Sequence, residues 1–176
     1  ELSTKFSNNV LDSTNKWFLI LENKSQIRGL PERVLELMAL SAQKHLKKEG
    51  NIDSKNGPWK LSLDIPTYTA FMSYSEDSSL REQLYKAFVG RASFGDENNN
   101  QIIEEILTLR TKQSKLLGYE SWADLSLSTK MASKIDNVEK LLEELREPSF
   151  KAAELELKNL NNFAHKNGFN TDNQLQ

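Results

Sequence analysis

Cysteine is missing from all 176 residues, which excludes a disulfide framework, a thiol nucleophile and a thiolate zinc cluster. Glycine occurs only seven times and always as punctuation between periodic segments. No G-x-G-x-x-G, G-x-x-x-x-G-K or G-x-S-x-G is spelled, so neither a phosphate-cradling loop nor a nucleophile elbow is present. No apolar run approaches the roughly 20 residues that span a bilayer. Excess charge of one sign is also lacking: 23 basic against 25 acidic side chains give a net −2. A phosphate-rich partner needs a basic surface, so neither nucleic acid nor a membrane is expected as a partner. The one basic cluster, Lys44 to Lys48, reads as the solvated end of a helix, where cations also suit the C-terminal dipole. Only two histidines occur, His45 and His165.

The length suits one ordinary domain with a genuine core. Leu2, Phe6 and Val10 recur every four residues and predict the last turns of an amphipathic helix. Trp17-Phe18-Leu19-Ile20-Leu21 then changes the pattern to a bulky run of strand type. Ile27 to Leu30 reads as a turn into Pro31, a residue suited to a first helical turn. Val34, Leu37, Met38, Ala42 and Leu46 predict one apolar face on a helix running to about Lys48, with Gly50 placed to stop it. After a turn-rich loop, Trp59 to Asp64 alternates apolar and polar as a half-buried strand does. Since a lone strand leaves its backbone unpaired, this segment is expected to pair with residues 17–22 in an antiparallel ribbon covered by helices.

Beyond Pro66 the chain reads as helix almost throughout. Tyr68, Phe71, Met72 and Tyr74 belong to a short helix, and Asp77-Ser78-Ser79 with Glu82 supplies an N-cap for the next. Leu84, Tyr85 and Phe88 are expected on its apolar face. A polar loop, Ser93 to Asn100, precedes a helix carrying Ile102, Ile103, Ile106, Leu107, Leu109, Leu116 and Leu117, ended by Gly118. Ser121 and Asp124 resemble a capping box. The last helix begins near Ile135, carries Val138, Leu141, Leu142 and Leu145, meets a potential kink at Pro148, and runs through Leu155, Leu157, Leu160 and Phe163 towards Gly168. The polar tail, 167–176, is expected to fray. The fold class predicted is mainly α, a multi-helix domain with a small two-stranded antiparallel β ribbon.

Chemistry is scarce. A metallopeptidase needs H-E-x-x-H, two imidazoles one helical turn apart with a glutamate to activate water, and the motif is absent. His45 has Glu49 four residues on, too few ligands for a working zinc site. His165 lies near a helix end, where a cation meets the dipole. The adjacent carboxylates Glu104-Glu105 and Glu143-Glu144 point to different sides of a helix axis and read as solvated surface. Trp17, Phe18, Trp59, Tyr68, Phe71 and Tyr85 lack interleaved cations, so a packed core is expected of them rather than a base-stacking surface. No catalytic residue and no metal ligand is assigned, and no substrate-binding residue can be named.

Several segments nevertheless resemble the thimet oligopeptidase / oligopeptidase A family of zinc metallopeptidases. Phe6-Ser7-Asn8-Asn9-Val10-Leu11-Asp12 is similar to that family's F-S-x-N-V-L-D helix. Leu61-Ser62-Leu63-Asp64-Ile65-Pro66-Thr67-Tyr68 is similar to its strand-then-proline segment, continuing into Phe71-Met72-Ser73-Tyr74. Leu80-Arg81-Glu82, Tyr85-Lys86-Ala87-Phe88 and Arg91-Ala92-Ser93 fit the next helix. The longest match joins Ile106 to Arg110, Lys115 to Tyr119, Ala123 to Leu127 and Lys130-Met131-Ala132. The matches keep their order over nearly the whole chain and lie closer to the oligopeptidase A branch, with its bacterial and plant organellar or cytosolic forms.

The resemblance implies an enzyme about four times this length, two helical halves around a channel that admits short unfolded peptides. It implies zinc held by H-E-x-x-H and a downstream glutamate, none of which falls on a position of this sequence. Residues 1–176 are therefore expected to be a single helical segment of a larger oligopeptidase. That segment would be inactive alone and bind no zinc of its own, walling the channel against folded proteins. Short peptides, spent targeting peptides included, are the implied partners, with the cytosol, mitochondrion or chloroplast as the compartment. The alternative is a naturally truncated, non-enzymatic relative that binds peptides or regulates a full-length peptidase. In either case the chain, which begins abruptly at Glu1-Leu2-Ser3-Thr4, is expected to expose apolar surface and to self-associate.

Overall fold

A computed structural model describes residues 1–47, 53–132 and 134–168. Among these lie seven α-helices and one two-stranded antiparallel sheet, the expected class. The contacts group into two compact units, residues 1–107 and 108–176, divided within one helix.

The first unit opens with α1, Leu2–Lys16. Strand β1, Phe18–Leu21, pairs with β2, Trp59–Ser62, in the register Phe18↔Ser62 to Leu21↔Trp59. The alternation read in β2 is realised, because Trp59, Leu61 and Leu63 are buried while Lys60 and Ser62 are half-buried. Side chains on a strand alternate between faces, and one face of the ribbon meets helix α2, Glu32–Leu46, through Met38 and Ala39. Helices α3, Ile65–Tyr74, and α4, Ser78–Val89, add Phe71, Leu80 and Leu84 to the same core. The start of α4 follows the sequence signal at Asp77, while α3 is capped by Asp64, which the alternation had placed at the end of the strand. The Asp64 carboxylate accepts from the Thr67 N–H at 3.1 Å and Asp77 from the Leu80 N–H at 3.0 Å, satisfying donors that a helix start leaves unpaired.

Three expectations need correction in this unit. Pro31 is the cap before α2, in extended conformation, rather than a residue of its first turn. The helix closes on Lys47, whose left-handed backbone (φ 51°) lets its N–H reach the carbonyls of Gln43 and Lys44; Lys48 and Gly50 lie outside the described residues. The faces are also narrower than the spacing implied. Leu37 and Tyr85 are each 51% exposed and Leu46 is 39% exposed. The inward stripe of α2 centres on Met38, Ala39 and Ala42, and Leu84 takes the inward place on α4. Met38 and Ala39, one 100° step apart, both face the core, and Leu37, a step beyond Met38, turns to solvent.

Between α4 and α5, Asn100–Leu116, the loop turns through Ala92 (φ 51°) and a short 3₁₀ turn, Gly95–Glu97. Only Ile102 of the apolar residues read on α5 is buried. The second unit holds the end of α5, α6 (Trp122–Leu127) and the 32-residue α7 (Ile135–Lys166). Gly118 follows α5 at φ 80°. Ser121 caps α6 by accepting from the Asp124 N–H at 3.1 Å, and its hydroxyl donates to the Asp124 carboxylate at 2.7 Å. The Asp side chain thus bonds the Ser hydroxyl instead of the backbone N–H that a capping-box Glu would reach. Helix α7 runs unbroken through Pro148 to the Asn167 cap. Residues 169–176 of the tail lie outside the described residues.

Candidate functional site

Among the described residues neither histidine belongs to a group placed to hold a metal ion. His45 is exposed on the last turn of α2, its ring 4.2 Å from that of Phe18 across a tilted contact. Its nearest sequence carboxylate, Glu49, lies outside the described residues. His165 is exposed on the last turn of α7. Among the described residues no group of three or more His, Asp or Glu side chains is placed to hold a metal ion. The donor set does not fit a zinc centre, which needs about three protein ligands converging on one point. The carboxylate pairs behave as read: Glu104 and Glu105 are exposed, Glu143 holds Arg146 at 2.5 Å, and Glu144 stands 3.9 Å from Lys140.

An open groove of about 450 Å³ lies in the first unit. Trp17, the cap that follows α1, Leu19 of β1 and Leu63, just after β2, supply apolar wall. Helix α4 forms the other side, where Ala87 and Gly90 leave room because one has a methyl and the other none. Gln83 and Lys86 put an amide and an ammonium at its edge, and Phe94, 78% exposed, stands beside it. The Lys86 ammonium is held by Glu82 at 2.5 Å, one helical turn back. That exposed pair is weak enough to exchange for another carboxylate. The groove thus offers an apolar wall and, at its edge, an amide and an ammonium. It holds no nucleophile with an adjacent base.

A clasp that the sequence did not disclose fixes this wall. Asn99 is 2% exposed. Its amide donates to the Phe6 carbonyl at 3.1 Å and its oxygen accepts from the Asn9 amide at 2.8 Å. The Ser13 hydroxyl accepts from the Ala92 N–H at 3.1 Å, and the Asn99 N–H donates to the Ala92 carbonyl at 2.9 Å. Together these hold α1 against the loop at a left-handed alanine. Tyr68 stacks on Phe88 at 3.9 Å, and the Arg91 guanidinium covers the other ring contact at 3.6 Å from the Phe88 centroid. Lys16 pairs with Glu97. The hydrogen bond between them raises the lysine and lowers the glutamate from their ordinary pKa values. The available signal for the clasp was Asn99 ahead of a helix, which reads equally as an ordinary cap.

Residues 71–176 match the sequence pattern of peptidase family M3. The chain belongs to that family. Over 168 residues, 96% of this chain, it is 42% identical to an organellar oligopeptidase A, chloroplastic/mitochondrial, of Arabidopsis thaliana, covering 21% of that protein. It is 40% identical over the same share to a probable cytosolic oligopeptidase A of the same plant, covering 24% of it. Against oligopeptidase A of Escherichia coli it is 38% identical over 170 residues, 93% of this chain and 24% of that protein. The resemblance to the oligopeptidase A branch is thus found along nearly the whole chain. The chain spans about a fifth to a quarter of the length of these curated relatives. As an M3 sequence it bears the described groove and clasp on its first 107 residues, and the family match begins at Phe71 in α3 and takes in α4, one side of the groove.

Proposed function

We propose that these residues form a single helical segment of an M3 zinc metallo-oligopeptidase, a non-catalytic part of the wall of a channel that degrades short unstructured peptides, cleaved targeting peptides among them. The observation that carries this reading is identity of 37–42% to oligopeptidase A proteins across 93–96% of the chain. The groove gives it a physical basis. An extended peptide can lay an apolar side chain against Trp17, Leu19 and Leu63 while the edge formed by Gln83 and Lys86 meets its carbonyl groups or terminal carboxylate. Zinc chemistry belongs in this reading to residues other than these, since the donors present do not converge. No step of hydrolysis is assigned to this chain. The compartment follows the relatives, cytosolic or organellar, within the cell.

Hydrolysis of a quenched fluorescent peptide by the purified chain, with zinc added and a chelator control, tests the non-catalytic role. No chelator-sensitive turnover is expected, and robust chelator-sensitive cleavage free of contaminating peptidase overturns it. Peptide contact is tested separately by titrating a short unstructured peptide against the intrinsic tryptophan emission. Saturable quenching that Ala87→Glu removes is expected, because the carboxylate intrudes on the apolar wall. Undiminished binding in that variant removes the groove from the proposal.

A further inference from the structure

Asparagine is followed by glycine twice, at Asn56-Gly57 and at Asn167-Gly168. Such a pair is chemically labile, because glycine has no Cβ to shield its backbone nitrogen from the side-chain amide carbon of the asparagine before it. At position 57 the fold requires the glycine. Its backbone lies at φ 74°, and a Cβ built there would stand 2.7 Å from the Trp59 ring, which is fully buried. The labile pair is thus a consequence of how Trp59 is seated.

Asp53 holds both groups that would react. Its backbone carbonyl accepts from the Gly57 N–H at 3.0 Å. One oxygen of its carboxylate accepts from the Asn56 side-chain amide at 2.8 Å, and the other from the Lys55 and Asn56 N–H groups at 3.0 and 2.9 Å. The bond from the Asn56 amide lowers the Asp53 carboxyl from its ordinary pKa, so the ionised form is the one that binds. Attack requires the Gly57 nitrogen to give up its proton and the Asn56 side-chain carbonyl to take on negative charge. A carboxylate beside both opposes that charge. In the same turn the Ser54 carbonyl accepts from the Trp59 indole N–H at 2.9 Å, which couples the turn to the tryptophan.

We propose that Asn56 is a deamidation site that Asp53 keeps closed, and that its conversion prevents the turn from closing again. When the turn opens, the deprotonated Gly57 nitrogen bonds to Asn56 Cγ, the Cγ–Nδ2 bond breaks, and ammonia leaves with a proton from water. A water molecule then opens the cyclic imide at either carbonyl, giving aspartate or a β-linked isoaspartate. Either product replaces the amide donor with a carboxylate. Two like charges then meet where donor and acceptor stood 2.8 Å apart, and they do not share such a site while both are ionised. Isoaspartate also lengthens the main chain by a methylene beside the close approach of Gly57 to Trp59. Asn167 is held differently: its amide donates to the Phe163 carbonyl at 2.8 Å, and the Gly168 N–H to the His165 carbonyl at 3.1 Å. These acceptors are neutral, so Asn167 converts independently of Asp53 and acts as a clock in the same chain. Every bond at the Asn56 site lies within residues 53–59, and none depends on the peptidase reading.

The test is to age the purified chain at neutral pH for weeks and follow both asparagines by peptide mapping in a mass spectrometer, with isoaspartate counted by enzymatic methylation. Asn56 should convert at least about tenfold more slowly in the native chain than in guanidinium chloride, since hydrogen bonds to a charged group must first open. Asp53→Ala should bring Asn56 most of the way to the unfolded rate while Asn167 keeps its own. Asp53→Asn, similar in shape but without the charge, should also accelerate Asn56 and serves if the alanine variant does not fold. Equal rates at Asn56 in native and unfolded chain, or no acceleration in either Asp53 variant, overturns the proposal. Asn56→Asp imitates the product. It should shift tryptophan emission to the red and unfold at lower denaturant than Asn56→Ser, which loses the amide without adding charge. Equal behaviour of these two variants overturns the claim that conversion holds the turn open.

Discussion

Gly29 shows how one atom can be decisive. Its backbone lies at φ 83°, and a Cβ built on it would stand 2.1 Å from the Tyr74 carbonyl oxygen. The neighbouring Arg28 carbonyl accepts from the Glu76 N–H at 3.1 Å, which locks the turn against the end of α3. Gly29→Ala therefore combines the left-handed cost of an L-residue with a backbone collision, and about 2–4 kcal/mol of stability should be lost. Urea unfolding followed by tryptophan emission checks this, and a loss below about 1 kcal/mol would show that the turn can shift. The sequence marks Gly29 only as part of a turn before proline. The collision depends on Tyr74, 45 positions away, and so is invisible until the chain is folded.

At the scale of elements, α1 is the informative case. It buries no residue, so hydrophobic contact does less for it than for α2 or α3, and polar bonds to the loop at 91–99 hold it in place. Among them the Lys16–Glu97 pair has a definite pH signature. Glu97 is lowered from its ordinary 4.5, first by the hydrogen bond from Lys16, so its contribution is present above that value and is lost as pH falls through the lowered one. Lys16 is raised from 10.5, first by the same bond, so its contribution is present below 10.5 and is lost as pH rises through the raised value. Protection of the α1 amides, the ratio of intrinsic to observed exchange, should thus be greatest between these limits and fall in acid, and Glu97→Gln should flatten the acid limb. An unchanged acid limb in that variant would assign the pH response to other groups. Capping was partly legible, since Asp77 and Ser121 each close the helix start that their position suggested, whereas Asp64, read as the end of a strand, caps α3. The clasp was not, because Asn9, Ser13 and Asn99 have no pattern that joins them before the loop brings them together.

For the molecule as a whole, burial is concentrated in the first unit. Trp59, Leu61, Phe71 and Leu84 are fully buried there, whereas Leu141, Leu142, Leu145, Leu160 and Phe163 of α7 are exposed. Protection against hydrogen exchange should follow, with β2 and the centre of α3 slowest and α7 markedly faster in dilute chain, because opening a segment without buried contacts costs little. Mass-spectrometric exchange on peptides from residues 59–72 and 138–163 measures the contrast. Equal protection of the two regions in dilute chain would contradict the exposed state of α7.

Helix positions, the strand pair and its partner, and the caps were set by local chemistry: apolar spacing, carboxylates ahead of helices, and the need of each strand for a hydrogen-bonded neighbour. The family resemblance was equally legible, because it resides in ordered short segments. Tertiary structure alone decided which apolar residues are inside. Met38 is covered and its neighbour Leu37 is half open; Leu84 is buried and Tyr85 is not; Ile102 is buried while Leu107 and Leu109 remain in solvent. Periodicity reports that a helix has an apolar side, but burial depends on which other surface arrives there. The groove and the Asn99 clasp have the same origin, since both join residues among the first 19 positions to residues more than 40 places later, whose proximity no local pattern encodes.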